Sequence, residues 1–201
     1  MFYSLTGKIV AAENGYVALL CGGVAFKCNT SLYTLKRIGT KLENVTLFTY
    51  MSVREDAIEL FGFDTQEELE CFKMLISVNG VGPKAGLAVL SELSPSDLAL
   101  CIVSGDSKQI KRAQGVGPKI AQRIVLELKD KIQGAVQTSQ NEIAVNAFDS
   151  VTVSDTSSQA VTALEVLGYS RAEASAAVAK AEENLSVEEK IKFSLKLLAR
   201  G

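Results

Sequence analysis

Histidine and tryptophan are absent from this 201-residue sequence, and proline occurs only three times. Without histidine, the chain cannot carry a Ser-His-Asp or Cys-His catalytic group, an imidazole metal ligand or a histidine acid–base. The four cysteines, Cys21, Cys28, Cys71 and Cys101, form no Cys-x-x-Cys pair, so a zinc site is not indicated. We expect reduced core thiols in a cytoplasmic protein.

Long apolar runs are also missing. A membrane-spanning helix needs roughly 18 apolar residues, and the longest candidate, Val17–Phe26, is interrupted by Gly22 and Gly23. The N-terminus has no basic segment followed by an apolar core, so we expect no signal peptide. A composition of 47% hydrophobic and 22% charged residues is ordinary for a globular protein and excludes wholesale disorder.

Residues 1–63 have the pattern of short strands separated by turns. The turn signals are Asn14-Gly15, Gly22-Gly23 and the polar tip Arg54-Glu55-Asp56. The predicted strands are Leu5–Ala12, Tyr16–Cys21, Val24–Asn29, Val45–Val53 and Ala57–Phe63, with a short helix at Ser31–Ile38. Five strands in such a short segment favour a small closed barrel such as the OB-fold.

The pentapeptide Gly-Val-Gly-Pro-Lys occurs twice, at 80–84 and 115–119, each time between two predicted helices. Two helices joined by such a turn make a helix-hairpin-helix. The first glycine lets the chain reverse, and the second helix presents its unpaired N–H groups to an anion, beside a lysine. The candidate phosphate-binding residues are Gly80, Gly82, Lys84, Gly115, Gly117, Lys119 and, one turn further on, Arg123.

The charge distribution supports a nucleic-acid ligand. The whole chain has a net charge of −2, but residues 107–131 hold seven basic and two acidic residues, a local charge of +5. Contacts to phosphate alone carry no base information, so binding should be independent of DNA sequence and sensitive to salt.

The rest of the chain predicts further helices. Thr65 and Glu68 have the spacing of a capping box, with the Glu68 side chain reaching back to Thr65. The polar stretch 133–157 predicts a flexible linker. Residues 158–201 predict a three-helix, UBA-like domain with capping boxes at Ser170 and Ser186. The predicted fold class is therefore multidomain, with a five-stranded OB-fold barrel over 1–63, a tandem helix-hairpin-helix domain over 64–132 and a small helical domain at the end.

The sequence leaves two alternatives to a DNA-binding scaffold. A DNA glycosylase or nuclease would need a catalytic carboxylate near a hairpin, and Asp97 is the candidate, although Ser94-Pro-Ser-Asp97 has the form of a helix start. A pure protein-interaction module would use the hairpins as helix connectors. The chain has no Gly-x-x-x-x-Gly-Lys-[Ser/Thr] loop, which argues against an ATPase.

The sequence resembles the RuvA family, the DNA-binding subunits of the bacterial complex that moves Holliday junctions. The matching segments follow the order of the family's three domains. They are Val53–Ala57, Leu60–Phe63, Leu75–Lys84, Gly115–Asp130 and Ala163–Tyr169. Two departures are Ala113-Gln114 and Pro118 at the second hairpin, and a third is Ala177 in the last domain.

The resemblance implies a non-catalytic protein without cofactor or metal that acts in recombination, DNA repair and the SOS response to DNA damage. It implies a homotetramer or octamer on four-way junction DNA, with Glu55 and Asp56 as an acidic pin and Arg54 as a phosphate contact. Leu164, Leu167 and Tyr169 correspond to the face that binds the RuvB motor. The RuvC resolvase is a further partner of the family.

Overall fold

The computed structural model describes residues 2–39, 43–146 and 155–199. The N-terminal part is a closed barrel in the strand order β1-β2-β3-β5-β4. Its elements are β1 (Ser4–Glu13), β2 (Tyr16–Cys21), β3 (Val24–Asn29), helix α1 (Leu32–Ile38), β4 (Val45–Val53) and β5 (Ile58–Phe63). Only β3 and β5 pair in parallel; the other neighbours are antiparallel. The predicted barrel is confirmed, and its strands follow the predicted turn signals closely.

Strands of six to ten residues close this barrel. They surround a small apolar core that includes Val17, Leu19 and Leu47, all with no exposed surface. A second apolar cluster begins on β5, where Phe61 and Phe63 pack against Phe72 of the first long helix, with ring centroids 5.2 and 4.9 Å apart. The barrel is therefore attached to the helical part of the chain through aromatic packing.

The central part is helical. It consists of α2 (Gln66–Ile76), α3 (Pro83–Glu92), α4 (Pro95–Ser104), the short α5 (Ser107–Ile110) and α6 (Pro118–Asn146). The last part contains α7 (Asp155–Val166), α8 (Arg171–Val178) and α9 (Val187–Leu198). The capping boxes predicted at Ser170 and Ser186 are both formed.

The structure differs from the predicted flexible linker at 133–157. Residues 133–146 continue α6, and 155–157 belong to α7, while 147–154 lie outside the described residues. The extension contains no proline and so has no strong helix breaker, but it lacks the apolar periodicity on which the prediction relied. Ile132 and Val136 nevertheless pack into the apolar cluster that includes α7 and α9.

The C-terminal helices are packed against the central helices. Their apolar side chains belong to the same buried cluster as those of α2, α4 and α6. The thiol of Cys71 on α2 donates to the backbone carbonyl of Leu167 over 3.6 Å. The expected tethered domain is thus docked in this structure.

All four cysteines are free thiols; Cys28, Cys71 and Cys101 are buried in the core as predicted, whereas Cys21 is only partly buried. Burial raises the pKa of Cys28 to about 12 and that of Cys101 to about 11, so these thiols stay protonated and unreactive at neutral pH. Among the described residues, no single helix is long and apolar enough to span a membrane; the bent pair α3 and α4 meets the criterion by length and composition only.

Candidate nucleic-acid interface

The first repeated pentapeptide forms the connection between α2 and α3. Gly80 has a φ of +85°, which a residue with a side chain adopts only at a cost. The Val81 N–H donates to the Val78 carbonyl over 3.0 Å, and both valines are buried and anchor the turn. Gly82 is the N-cap of α3 and offers no side-chain cap, and Pro83 occupies a first-turn position where its missing N–H is tolerated.

The second pentapeptide has the same local structure. Gly115 has a φ of +79°, and the Val116 N–H donates to the Ala113 carbonyl over 3.0 Å. Ala113 and Val116 are buried as Val78 and Val81 are. Gly117 precedes Pro118, the first residue of α6. The two loops therefore have matching positive φ angles, turn hydrogen bonds and buried anchors, which makes them equivalent helix-hairpin-helix connections.

Open space lies next to the second glycine of each loop. A Cβ atom built on Gly82 or on Gly117 would meet no atom within 4 Å. Lys84 and Lys119, two residues further on, are exposed, and neither forms an ion pair within the part of the chain that the structure describes. Each helix start thus offers uncapped amides and a free ammonium group to an anion.

Arg123 connects the two hairpins. Its guanidinium donates to the backbone carbonyl of Asn79 in the first loop over 3.2 Å and lies 3.7 Å from the Glu127 carboxylate. Eight residues along α6, the Lys131 ammonium donates to Ser77 Oγ over 2.6 Å. Arg123, predicted as a phosphate contact, therefore also holds the second hairpin against the first.

Sequence reasoning missed Ser77, Asn79 and Lys131, which take part in the contact between the two hairpins. The signal that could have found Lys131 is its spacing, because residues 119, 123, 127 and 131 recur every four positions along one face of α6. The backbone carbonyl of Asn79 carries no such signal, since any residue at that position supplies the same acceptor.

The β4–β5 connection is a tight hairpin with two exposed carboxylates, Glu55 and Asp56, at its tip. The Arg54 N–H donates to the Ala57 carbonyl over 2.9 Å and closes the turn. The Arg54 guanidinium donates to the Glu59 carboxylate. Arg54, the predicted phosphate contact, is thus already paired within the hairpin, and its bond to Glu59 holds its side chain along β5.

The three residues predicted to bind a partner are buried. Leu164, Leu167 and Tyr169 are 0%, 1% and 6% exposed, and they belong to a buried cluster that also contains side chains of the central helices. The structure brings them together in one buried cluster and does not leave them on a surface. Burial raises the pKa of Tyr169 far above its usual range, with the Glu67 charge adding to the effect.

Asp97, the candidate catalytic carboxylate, is used as part of a helix start. Its backbone N–H donates to Ser94 Oγ over 3.1 Å, and Ser94 Oγ donates to its carboxylate over 2.6 Å. Within the described residues, no three carboxylate, thiol or imidazole groups are arranged to hold a metal ion. These contacts do not support a glycosylase or nuclease function.

A closed barrel followed by two equivalent hairpins and a small helical domain defines a DNA-binding protein of the tandem helix-hairpin-helix class. Family models match the three parts in turn. Residues 1–62 match the RuvA N-terminal domain, residues 72–130 the SAM-like helix-hairpin-helix tandem and residues 155–199 the RuvA C-terminal domain.

Relatives match over the full length of the chain. One from Acetivibrio thermocellus is 46% identical, with 100% of both chains covered. One from Ruminiclostridium cellulolyticum is 42% identical, covering 98% of this chain and 100% of the relative, and one from Clostridium perfringens is 41% identical with full coverage of both. Each is named Holliday junction branch migration complex subunit RuvA. The chain belongs to the RuvA family.

Proposed function

We propose that this chain binds four-way (Holliday) junction DNA without regard to base sequence, as a non-catalytic subunit of a branch migration complex. The observation that carries the proposal is the pair of hairpins with equivalent backbone structure, because two anion sites at a fixed separation can bind two phosphates of one duplex arm. The names of the full-length relatives support the same conclusion.

Each hairpin binds a phosphate through the N-terminus of its second helix. The unpaired amides and the helix dipole favour an anion there, and Lys84 or Lys119 adds a positive charge. The absence of side chains at Gly82 and Gly117 lets the DNA backbone approach these amides closely. Because the contacts are to phosphates, they position the protein on DNA without selecting a base sequence.

The exposed carboxylates of Glu55 and Asp56 act on the centre of the junction. Carboxylates directed at DNA repel phosphates, which is useful where strands must be kept apart as they exchange between arms. We propose a homotetramer, or two facing tetramers, in which four such hairpins surround the crossover. The Arg54 guanidinium holds the base of this hairpin through its bond to Glu59. It contacts DNA only through its remaining N–H groups.

The C-terminal domain binds the RuvB motor and regulates its ATPase; the RuvC resolvase is a second partner. Leu164, Leu167 and Tyr169 are buried. The Leu167 carbonyl and the Tyr169 hydroxyl contact Cys71 on α2 and Ser96 on α4. Binding through this face therefore requires the domain to separate from the central helices. The motor therefore competes with an intramolecular contact. The protein acts in the cytoplasm, in recombination and DNA repair.

The test is a binding titration of the full chain with an immobile four-way junction and a linear duplex of the same sequence. Both are measured at two salt and two magnesium concentrations. We expect preference for the junction, retained across unrelated arm sequences and weakened by salt. Equal binding to both DNAs would contradict the role proposed for Glu55 and Asp56, the acidic tip of the β4–β5 hairpin. No binding to either DNA would favour a protein-interaction module.

A double substitution, Glu55→Lys with Asp56→Lys, then tests the acidic tip. It should relax the preference for the junction by strengthening duplex binding, because two repulsive charges become attractive. The matched control is Glu182→Lys with Glu183→Lys, which makes the same charge change at two exposed residues of the C-terminal domain. The control should leave the preference unchanged.

A further inference from the structure

A buried polar cluster joins the barrel to the first hairpin. The side chain of Glu68 on α2 has no exposed surface. Its carboxylate accepts hydrogen bonds from the hydroxyls of Ser31 and Thr34, which belong to the N-terminal turn of α1. The Thr34 bond is 2.6 Å long. Thus two donors from the barrel domain satisfy one carboxylate from the hairpin domain.

The directions of these bonds are fixed when Glu68 is ionised, because a carboxylate can only accept hydrogen bonds. Each hydroxyl has a single hydrogen to donate, and both donate it to Glu68. The Thr34 oxygen also accepts the backbone N–H of Asp64 over 3.0 Å, and the Ser31 oxygen accepts the Thr34 N–H over 3.0 Å. Every group in the cluster therefore has its partners only in this one arrangement.

Helix α1 also holds the other helix of the first hairpin. The Leu32 N–H donates over 3.0 Å to the hydroxyl of Ser91 near the end of α3, and that hydroxyl donates to the Leu87 carbonyl over 2.7 Å. The turn with Gly80 and Gly82 lies between α2 and α3, so α1 contacts both helices that carry it.

Apolar packing between Phe61, Phe63 and Phe72 already attaches these parts to each other, but apolar contacts are not directional. A carboxylate buried without donors is costly. Any rotation of the hairpin against the barrel that separates Glu68 from Ser31 or Thr34 is therefore opposed much more strongly than the aromatic contacts alone would oppose it.

We propose that Ser31, Thr34 and Glu68 form a positioning cluster that fixes the first hairpin relative to the acidic tip of the barrel and thereby sets the preference for a four-way junction over a linear duplex. The proposal rests on the function proposed above. A duplex arm needs only the two hairpins, which Arg123 holds together independently of the barrel. A junction needs the hairpins on its arms and Glu55 and Asp56 at its centre at the same time.

The test uses the full chain with Thr34→Val, which keeps the shape of the side chain and removes the hydroxyl. Junction and duplex affinities are measured at pH 8, with folding checked by circular dichroism and thermal melting. We expect junction binding to weaken about fivefold or more, because the substitution removes both the bond donated to Glu68 and the bond accepted from the Asp64 N–H. Duplex binding should be unchanged within about twofold. Thr34→Ser, which keeps the hydroxyl, should restore the preference for the junction.

The matched control is Thr49→Val. Thr49 is also a buried barrel threonine, but its hydroxyl donates to the Phe2 carbonyl within the barrel, over 2.9 Å, so the preference should remain. If Thr34→Val does not fold, Glu68→Gln, which preserves the side-chain volume, replaces it with the same expectation.

Unchanged preference in a folded Thr34→Val or Glu68→Gln variant would overturn the proposal, as would equal losses on both DNAs or the same effect from Thr49→Val. These outcomes are separate from failure of the proposed function, which would appear as no preference for the junction in the unsubstituted chain.

Discussion

The hydroxyl oxygen of Tyr169 lies 2.8 Å from that of Ser96, and this bond joins the C-terminal domain to the first turn of α4. Both residues are buried. Tyr169 lies beside Leu167, whose backbone carbonyl accepts from the Cys71 thiol. The contact between the two domains therefore includes directional polar bonds as well as apolar packing, and separating the domains exposes groups that lose their partners.

We expect Tyr169→Phe and Ser96→Ala each to lower the free energy of unfolding by about 1 kcal/mol and to show a coupling energy of similar size in a double-mutant cycle. Urea denaturation measures both quantities. Limited proteolysis should release a fragment that ends before α7 more rapidly from either variant. Tyr3→Phe is the control, because Tyr3 is 68% exposed. Additive effects of the two substitutions would contradict the assigned bond.

The two glycines of the first hairpin should respond differently to alanine. Gly80→Ala places a side chain at a φ of +85° and should cost about 1–2 kcal/mol of stability. Gly82→Ala meets no atom within 4 Å and should fold normally but bind duplex DNA more weakly, because its methyl group occupies the approach to the α3 amides. Thermal melting and duplex titration separate the two effects.

Gly134→Ala is the control for this pair. Gly134 lies within α6, and a Cβ there also meets nothing within 4 Å, so the substitution should leave DNA binding unchanged. A Gly82→Ala variant that binds DNA normally would show that the DNA backbone does not approach this loop.

Local chemistry explains which parts of the fold could be predicted. The strands around Asn14-Gly15 and Gly22-Gly23 were found because such turns fix where a hairpin reverses. The two hairpin loops could be predicted because their structure depends on glycine and proline within five residues. In both cases the residues that determine the structure are neighbours in the sequence.

Glu68 makes contacts that local sequence patterns predict only in part. Its spacing from Thr65 predicts a capping box, and half of it forms, since the Glu68 N–H donates to Thr65 Oγ1 over 3.1 Å. The carboxylate instead accepts from Ser31 and Thr34, 37 and 34 residues earlier in the chain. Because the carboxylate is buried, it depends on these two hydroxyl donors, and no local sequence pattern predicts them.

The C-terminal domain shows a second limit. An apolar stripe containing Leu164 and Leu167 looks the same in sequence whether it faces its own domain, the central helices or a partner. Which surface covers it depends on long-range packing. The polar end of α6 was missed for the opposite reason, because helix propensity without apolar periodicity leaves little signal.

Removing the two hairpin lysines should weaken binding to all DNA in a salt-dependent manner. Lys84→Gln with Lys119→Gln should lower duplex affinity for every sequence tested and reduce the slope of log K against log salt by about 1 for each lysine. Lys180→Gln with Lys196→Gln, at two exposed residues of the C-terminal domain, is the charge-matched control. An unchanged salt slope in the hairpin variant would show that these ammonium groups do not contact phosphates.

Glu68 should also make stability depend on pH. Burial raises its pKa from 4.5 to about 7, although the bonds from Ser31 and Thr34 act in the opposite direction. Below about pH 4.5 the carboxyl is protonated in both the folded and the unfolded chain. Between pH 4.5 and 7 the unfolded chain loses this proton more readily, so stability falls as the pH rises and then levels off above about 7.

Urea denaturation at pH 4.5 to 8 should therefore show that the free energy of unfolding of the original chain falls by up to about 3 kcal/mol relative to that of Glu68→Gln as the pH rises. The size follows because one pKa unit corresponds to about 1.4 kcal/mol. Comparing the two chains cancels the contributions of the other titrating groups. Glu189→Gln should give a smaller difference of the opposite sign, because the Ser186 hydroxyl lowers the pKa of that exposed carboxyl. Parallel stability curves for the original chain and Glu68→Gln would mean that Glu68 titrates alike in the folded and unfolded chain, and the buried carboxylate would then carry no desolvation cost.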